Sequence, residues 1–183
     1  MTQPFIITGI AGSLRRDSYA RAVLRGIAPL LPTGSRFETL DIGALPHYNQ
    51  DLDTEAAPEA VVAGRAQIDR SDAVIIVTPE FNHGLPGVLK NALDWLSRPA
   101  FTSCFVGKPA LFVTIGPGAL GGVRAQAQLR ETLTAMLCRL VPLHELVVPL
   151  VNEKITDGEL TDTVTLRHLS RALDIFLGAS ARG

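Results

Sequence analysis

The stretch Gly12-Ser13-Leu14-Arg15-Arg16-Asp17-Ser18-Tyr19 follows a short apolar run and leads into a helical pattern. That position makes it a candidate anion site, because a helix N-terminus presents unpaired backbone N–H groups and a partial positive charge. Ser13 and Ser18 add hydroxyl donors, and Arg15 or Arg16 adds a planar guanidinium that matches phosphate oxygens. Gly12 lets the backbone turn tightly and approach a ligand. A plainer reading stays open, in which Ser18 only caps the helix and the arginines are solvated. The chain has no GxxxxGKS or GxxxxGKT run and no GxGxxG run at this place, so two familiar phosphate motifs are excluded.

A second stretch reads Thr78-Pro79-Glu80-Phe81-Asn82-His83-Gly84-Leu85-Pro86-Gly87. Its two prolines and two glycines define the loop's path. Backbone N–H groups from Glu80 to Asn82 could donate to the edge of a planar heterocycle, with Phe81 as an apolar wall and Asn82 as a side-chain amide. Glu80 is equally a loop acid that caps or pairs locally. A histidine at position 83 suggests a general acid, but a surface or ring-edge histidine fits as well. Asn91 and Asp94, at i and i+3 on the helix that follows, are placed to brace the loop from beneath, and Trp95 reads as packing. A third stretch, Ile115-Gly116-Pro117-Gly118-Ala119-Leu120-Gly121-Gly122-Val123-Arg124, has four glycines and a proline within seven residues. It offers an unobstructed backbone against which a ring could stack. Arg124 could meet a cofactor, a second subunit or water.

Alternating elements must position these loops. Apolar runs predict strands at 5–10, 73–77, 110–114 and 146–148. The run 73–77 is apolar on both faces, as a central parallel strand requires, and the alternating run 36–40 suits an edge strand. Helices are predicted from the Ser18 cap, through Ala22, Val23, Ile27 and Leu30, to just before Pro32, and at 56–70, 87–97, 122–139 and 160–178. This order implies a three-layer α/β sandwich, a five-stranded parallel sheet with helices on both faces. Five strands of this length fit the flavodoxin-like order 2-1-3-4-5, whose ligand sits at the carboxyl ends of the strands. The three loops follow strands 1, 3 and 4.

Composition narrows the function classes. The 183 residues read as one domain spanning 1–183. Seventeen basic and eighteen acidic residues give a net charge of −1, without the basic excess of a nucleic-acid binder. The same balance counts against a strongly acidic electron shuttle. No apolar run approaches the roughly 20 residues of a membrane span. Met1-Thr2-Gln3-Pro4 lacks the pattern of a secretory signal, so a cytoplasmic location is expected. Cys104 and Cys138 lack CxxC spacing and read as unpaired thiols, with no metal site indicated.

With these loops in view, the chain resembles the NADPH-dependent FMN reductase family, and within it the bacterial quinone and chromate reductases. The run from Gly12 to Ser18 is similar to the family's G-S-x-R-x-x-S phosphate loop. Thr78-Pro79-Glu80-Phe81-Asn82, continuing through Pro86-Gly87-Val88-Leu89-Lys90-Asn91-Ala92-Leu93-Asp94-Trp95-Leu96-Ser97-Arg98, resembles its P-E-Y-N-x-x-x-P-G-x-L-K-N-A-I-D-W-x-S-R stretch. Gly121-Gly122-Val123-Arg124 is a third, shorter match.

The resemblance implies that Ser13, Arg15 and Ser18 hold the phosphate of FMN, with the backbone of Tyr19, Ala20 and Arg21. It implies that Pro79, Glu80, Phe81 and Asn82 lie along the isoalloxazine, and Ile115, Gly116 and Gly118 against its other side. It implies NADPH or NADH as donor in a ping-pong cycle, with a quinone, chromate, an azo compound or free flavin as acceptor and no catalytic side chain. Homodimers or homotetramers are implied, with Arg124 and Glu145 at subunit contacts. The chain departs from the family pattern in three places: Phe81 for tyrosine, Ala20 for asparagine, and the pair Ile115-Gly116 where relatives carry serine. The alternatives are a non-catalytic FMN-binding electron carrier and an interaction scaffold that holds no flavin.

Overall fold

The computed structural model describes residues 4–180; the first three residues of the N-terminal segment read above lie outside them. Four full strands carry the sheet: β1 (Ile6–Ala11), β2 (Arg36–Leu40), β3 (Ala73–Pro79) and β4 (Pro109–Ile115). Their order is β2-β1-β3-β4, all parallel, with Ile10 opposite Ile76 and Ile76 opposite Phe112. β3 and β4 are buried along nearly their whole length, whereas β2 alternates between exposed and half-buried positions as the edge strand. Apolar side chains on both faces of the central strands demand cover on both sides. Ile7, Ile75, Val77 and Val113 pack under α1 (Tyr19–Ile27) and the C-terminal helix (Thr163–Ser180). Ile10, Val74, Ile76 and Phe112 pack under α2 (Glu59–Asp69), α3 (Gly87–Leu96) and α4 (Val123–Ala135). This is the expected flavodoxin-like arrangement.

The fifth position of the sheet differs from the expected single strand. It is filled by two short pieces, β5 (Arg139–Leu140) beside Pro109–Ala110 and β6 (Val147–Val148) beside Thr114–Ile115. Pro142 lies between them and has no N–H to give to the ladder, so one strand cannot run through. The predicted helix at 122–139 ends earlier, at Ala135. Leu137 adopts φ +60°, and the N–H groups of Leu137 and Cys138 donate to the Thr134 and Leu133 carbonyls at 3.0 Å each. This is a Schellman closure with leucine where glycine is usual. Because Leu137 is about half exposed, Leu137→Gly removes left-handed strain at small cost in packing. It is expected to raise stability by about 0.5 kcal/mol, a net of the αL penalty against glycine's entropy, measured as a higher urea midpoint with unchanged slope.

The predicted helix at 160–178 begins later. A hairpin, β7 (Ile155–Thr156) and β8 (Glu159–Leu160), turns through Asp157 and Gly158, both at positive φ. The final helix, α5 (Thr163–Ser180), then starts after Asp162, whose carboxylate accepts the Thr165 amide at 2.9 Å. Pro58 at the N-cap position delays α2 to Glu59 in the same way. α1 runs to Ile27 and tightens into a 3-10 turn at Ala28–Leu30, ending before Pro32 as expected.

Candidate functional site

The three loops meet at the carboxyl edge of β1, β3 and β4. The first is fixed to β3: the Gly12 amide donates to the Val77 carbonyl at 2.8 Å. A Cβ on Gly12 would sit 2.2 Å from Thr78 Oγ1 and 3.1 Å from Thr78 Cα, so the two strands' ends touch only because position 12 has no side chain. Ser18 is buried and caps α1, its hydroxyl accepting the Arg21 amide at 3.1 Å while its carbonyl accepts the Ala22 amide at 3.1 Å. The amides of Tyr19 and Ala20 come before that first helical bond and face the helix end. Ser13 accepts the Arg15 amide at 3.4 Å, and Arg15 donates to the Asp17 carbonyl at 3.2 Å with its guanidinium 5.9 Å from the Tyr19 ring centre. Ala20 has only its backbone to offer a ligand, since its methyl group is buried in the core under α1.

The second loop is a tight reversal. Phe81 and Gly84 exchange backbone hydrogen bonds at 3.0 Å each, and Asn82 and His83 between them both have positive φ, +48° and +66°. Two residues in the left-handed region make a type I′ turn. It projects Phe81 outward, 58 % exposed, with Asn82 and His83 beside it. Glu80 turns the other way. One carboxylate oxygen accepts the amides of Arg124 (2.9 Å) and Ala125 (3.1 Å), and the other lies 3.7 Å from the Arg124 guanidinium. The Glu80 side chain does cap, but not locally as expected: it caps α4, 44 and 45 residues away in the chain. Gln128, which nothing in the local sequence singles out, accepts the Leu85 amide at 2.7 Å from the next turn of α4.

Asn91 does brace a loop, but not this one. It accepts the Tyr48 amide (2.7 Å) and donates to the Pro46 carbonyl (2.9 Å), where the Trp95 indole also donates (2.8 Å). Asp94 pairs instead with Lys90. Trp95 is fully buried, as a packing residue should be.

The third loop lies against β6. The Gly116 amide donates to the Val148 carbonyl at 3.2 Å, and the Val151 amide returns a bond to the Gly116 carbonyl at 3.1 Å. Ile115 points into the core at 2 % exposure, so here too only the backbone reaches the site. Gly118 is exposed. Gly122 sits at φ +87°, and a Cβ there would crowd Thr114 Cβ and the Ile115 carbonyl at 3.2 and 3.3 Å, a position only glycine fills without strain.

Three helices start from these loops, α1, α3 and α4. The α4 terminus is served by Glu80's own carboxylate, and α3 begins after Pro86 with no side-chain cap. The α1 terminus is the one that gathers serine and arginine side chains beside its amides. A cavity of about 720 Å³ lies elsewhere, between α1 and β2, lined by Arg21, Arg25, Phe37 and Asp41 among others. None of the three loops lines it, so the chemistry does not converge there. Cys104 and Cys138 are free and half-buried, and burial pushes their thiols up to about 11 and about 12, which keeps them protonated at neutral pH. Among the described residues no cluster of His, Cys, Asp and Glu could hold a metal ion, and no helix is long and apolar enough to cross a membrane.

Comparison with known proteins agrees with this geometry. The family model described as NADPH-dependent FMN reductase matches residues 6–175. A quinone reductase of Pseudomonas putida is 44% identical over 133 residues, covering 73% of this chain and 72% of the relative. A 2-hydroxy-1,4-benzoquinone reductase of a Burkholderia species is 38% identical over 169 residues, 92% of each chain. Among solved structures, the flavoenzyme NAD(P)H:(acceptor) oxidoreductase FerB from Paracoccus denitrificans superposes with a TM-score of 0.87 at 34% identity, covering 97% of both chains.

Proposed function

Because this chain belongs to the NADPH-dependent FMN reductase family, we propose that it is a single-domain NAD(P)H oxidoreductase that holds FMN across the three loops and delivers electrons to a quinone. The observation that carries this reading is the N-terminus of α1, framed by Ser13, Arg15 and Ser18 and fixed to the end of β3; the space between the β3 and β4 loops beside it is taken as the slot for the ring.

In this reading the FMN phosphate sits at that terminus, bound by the Tyr19 and Ala20 amides, the Ser13 and Ser18 hydroxyls and the Arg15 guanidinium. Gly12 supports the fit: the close approach of the loop to β3 brings these donors to the strand ends. Pro79, Glu80, Phe81 and Asn82 border one side of the ring and Ile115, Gly116 and Gly118 the other, Glu80 and Ile115 through main chain alone. Exposed Phe81 gives the open side an apolar wall suited to flat partners. Bound FMN supplies the redox chemistry, accepting hydride from NADPH or NADH and returning it to the acceptor in a second half-reaction. The protein's residues position, orient and exclude water, and no side chain serves as acid or base.

The quinone follows from the activities named for the two relatives. Chromate, azo compounds and free flavin are further acceptors of an open flavin face. The reading includes a homodimer or homotetramer and a cytoplasmic site of action, where reduced nicotinamide is available. The test is to purify the protein with FMN, record its visible spectrum, and add NADPH or NADH without oxygen, then a benzoquinone. Prompt bleaching by a nicotinamide and recovery with quinone are expected. A bound flavin that neither nicotinamide bleaches would instead identify an electron carrier.

A further inference from the structure

The loop after β3 and the loop after β4 are remote in sequence but leave adjacent strands, paired as far as Pro79 and Ile115, and beyond that pair side chains tie them. The principal tie is one carboxylate. Glu80 leaves the first loop and its two oxygens take the Arg124 and Ala125 amides and face the Arg124 guanidinium, at the point where the second loop becomes α4. The approach is close: a Cβ built on Gly122 would lie 3.4 Å from Glu80 Cβ. Gln128 adds a second tie one turn further on, through the Leu85 amide. The turn being held has Asn82 and His83 at positive φ, residue types that enter that region more readily than most.

We infer that Glu80 is a positioning residue, whose carboxylate sets the spacing between the Pro79–Leu85 loop and the Gly116–Gly122 loop and so the width of the slot that receives a flat ring. This rests on the reading of the slot as the FMN site. The carboxylate itself is turned to the start of α4. It fills the α4 N-terminus with an internal negative charge, which anchors the loop. The length of the side chain is therefore what counts, beyond its charge.

Two variants separate length from charge. Glu80→Gln keeps the length and one acceptor oxygen for the amides. Glu80→Asp keeps the charge and the cap but draws the two loops together by about one methylene. FMN affinity is measured by flavin fluorescence, the visible circular dichroism of bound flavin reports its surroundings, and the melting temperature of the FMN-free protein reports the fold. Glu80→Asp is expected to melt near the parent and bind FMN about tenfold more weakly, with altered flavin dichroism. Glu80→Gln is expected to stay within about threefold of the parent affinity. Parent-like affinity and dichroism in Glu80→Asp would overturn the inference, as would a loss in Glu80→Gln that matches or exceeds it. If the parent protein itself takes up no FMN, it is the reading of the site that fails.

Discussion

Replacing Gly12 with alanine is expected to weaken FMN binding by about 10- to 100-fold and to lower the melting temperature. The added carbon would stand 2.2 Å from Thr78 Oγ1, 2.7 Å from Thr78 Cβ and 3.1 Å from Thr78 Cα. Rotating the hydroxyl away removes only the first of these clashes, and Thr78 is buried in a central strand that cannot recede. The loop must lift, stretching the 2.8 Å bond from the Gly12 amide to Val77 and carrying Ser13 and the start of α1 with it. Overpacking of this kind costs about 1–3 kcal/mol, and here much of it falls on the cradle. A double-mutant cycle isolates the clash. Thr78→Gly weakens β3 by itself, but adding Gly12→Ala to it should cost much less than in the parent. Equal costs in both backgrounds would show that the two positions do not press on each other.

Much of this arrangement was legible in the sequence, for reasons that differ by element. β3 and β4 are apolar on both faces and bounded by turn residues, a pattern with few other solutions in a chain of alternating helices and strands. The α1 cap was legible because Ser18 is a good cap residue before an amphipathic run and its hydroxyl does cap. The hairpin at 155–160 carried an Asp157-Gly158 pair, a strong turn signal, and Asp162 marked the true start of α5. The helix expected at 160–178 starts after the turn pair and overruns Leu160, the hairpin's last residue, and Asp162. The end of α4 had no such mark, since Leu137 takes the conformation that glycine normally announces. Side-chain direction was the least legible property. Family resemblance implies a place for Glu80 along the flavin edge, but an amide pair 44 and 45 residues away claims its carboxylate. Gln128 was invisible for the same reason, its partner Leu85 lying 43 residues away.

Trp95 is where the largest loss of stability is expected: Trp95→Ala should cost about 3–5 kcal/mol, or about 10 °C in melting temperature for a chain of this size. The indole is fully buried in the core under α3, meets the Tyr48 ring edge-on at a centroid distance of 4.9 Å, and donates to the Pro46 carbonyl at 2.8 Å. Removing it leaves a cavity and takes one of two donors from Pro46, the other being Asn91. Trp95→Phe keeps most of the packing and leaves Pro46 with Asn91, so about 1–2 kcal/mol is expected from the lost bond and the smaller ring. The two variants thus divide packing from hydrogen bonding. Their effect on FMN should be indirect, because Trp95 and the slot lie at opposite ends of α3. Saturating FMN should raise the melting temperature of the parent and of Trp95→Ala by similar amounts, as binding to the folded state alone requires. In Gly12→Ala that ligand-induced rise should largely vanish. If the rise were lost in Trp95→Ala and kept in Gly12→Ala, the assignment of one residue to the fold and the other to the cofactor would have to be exchanged.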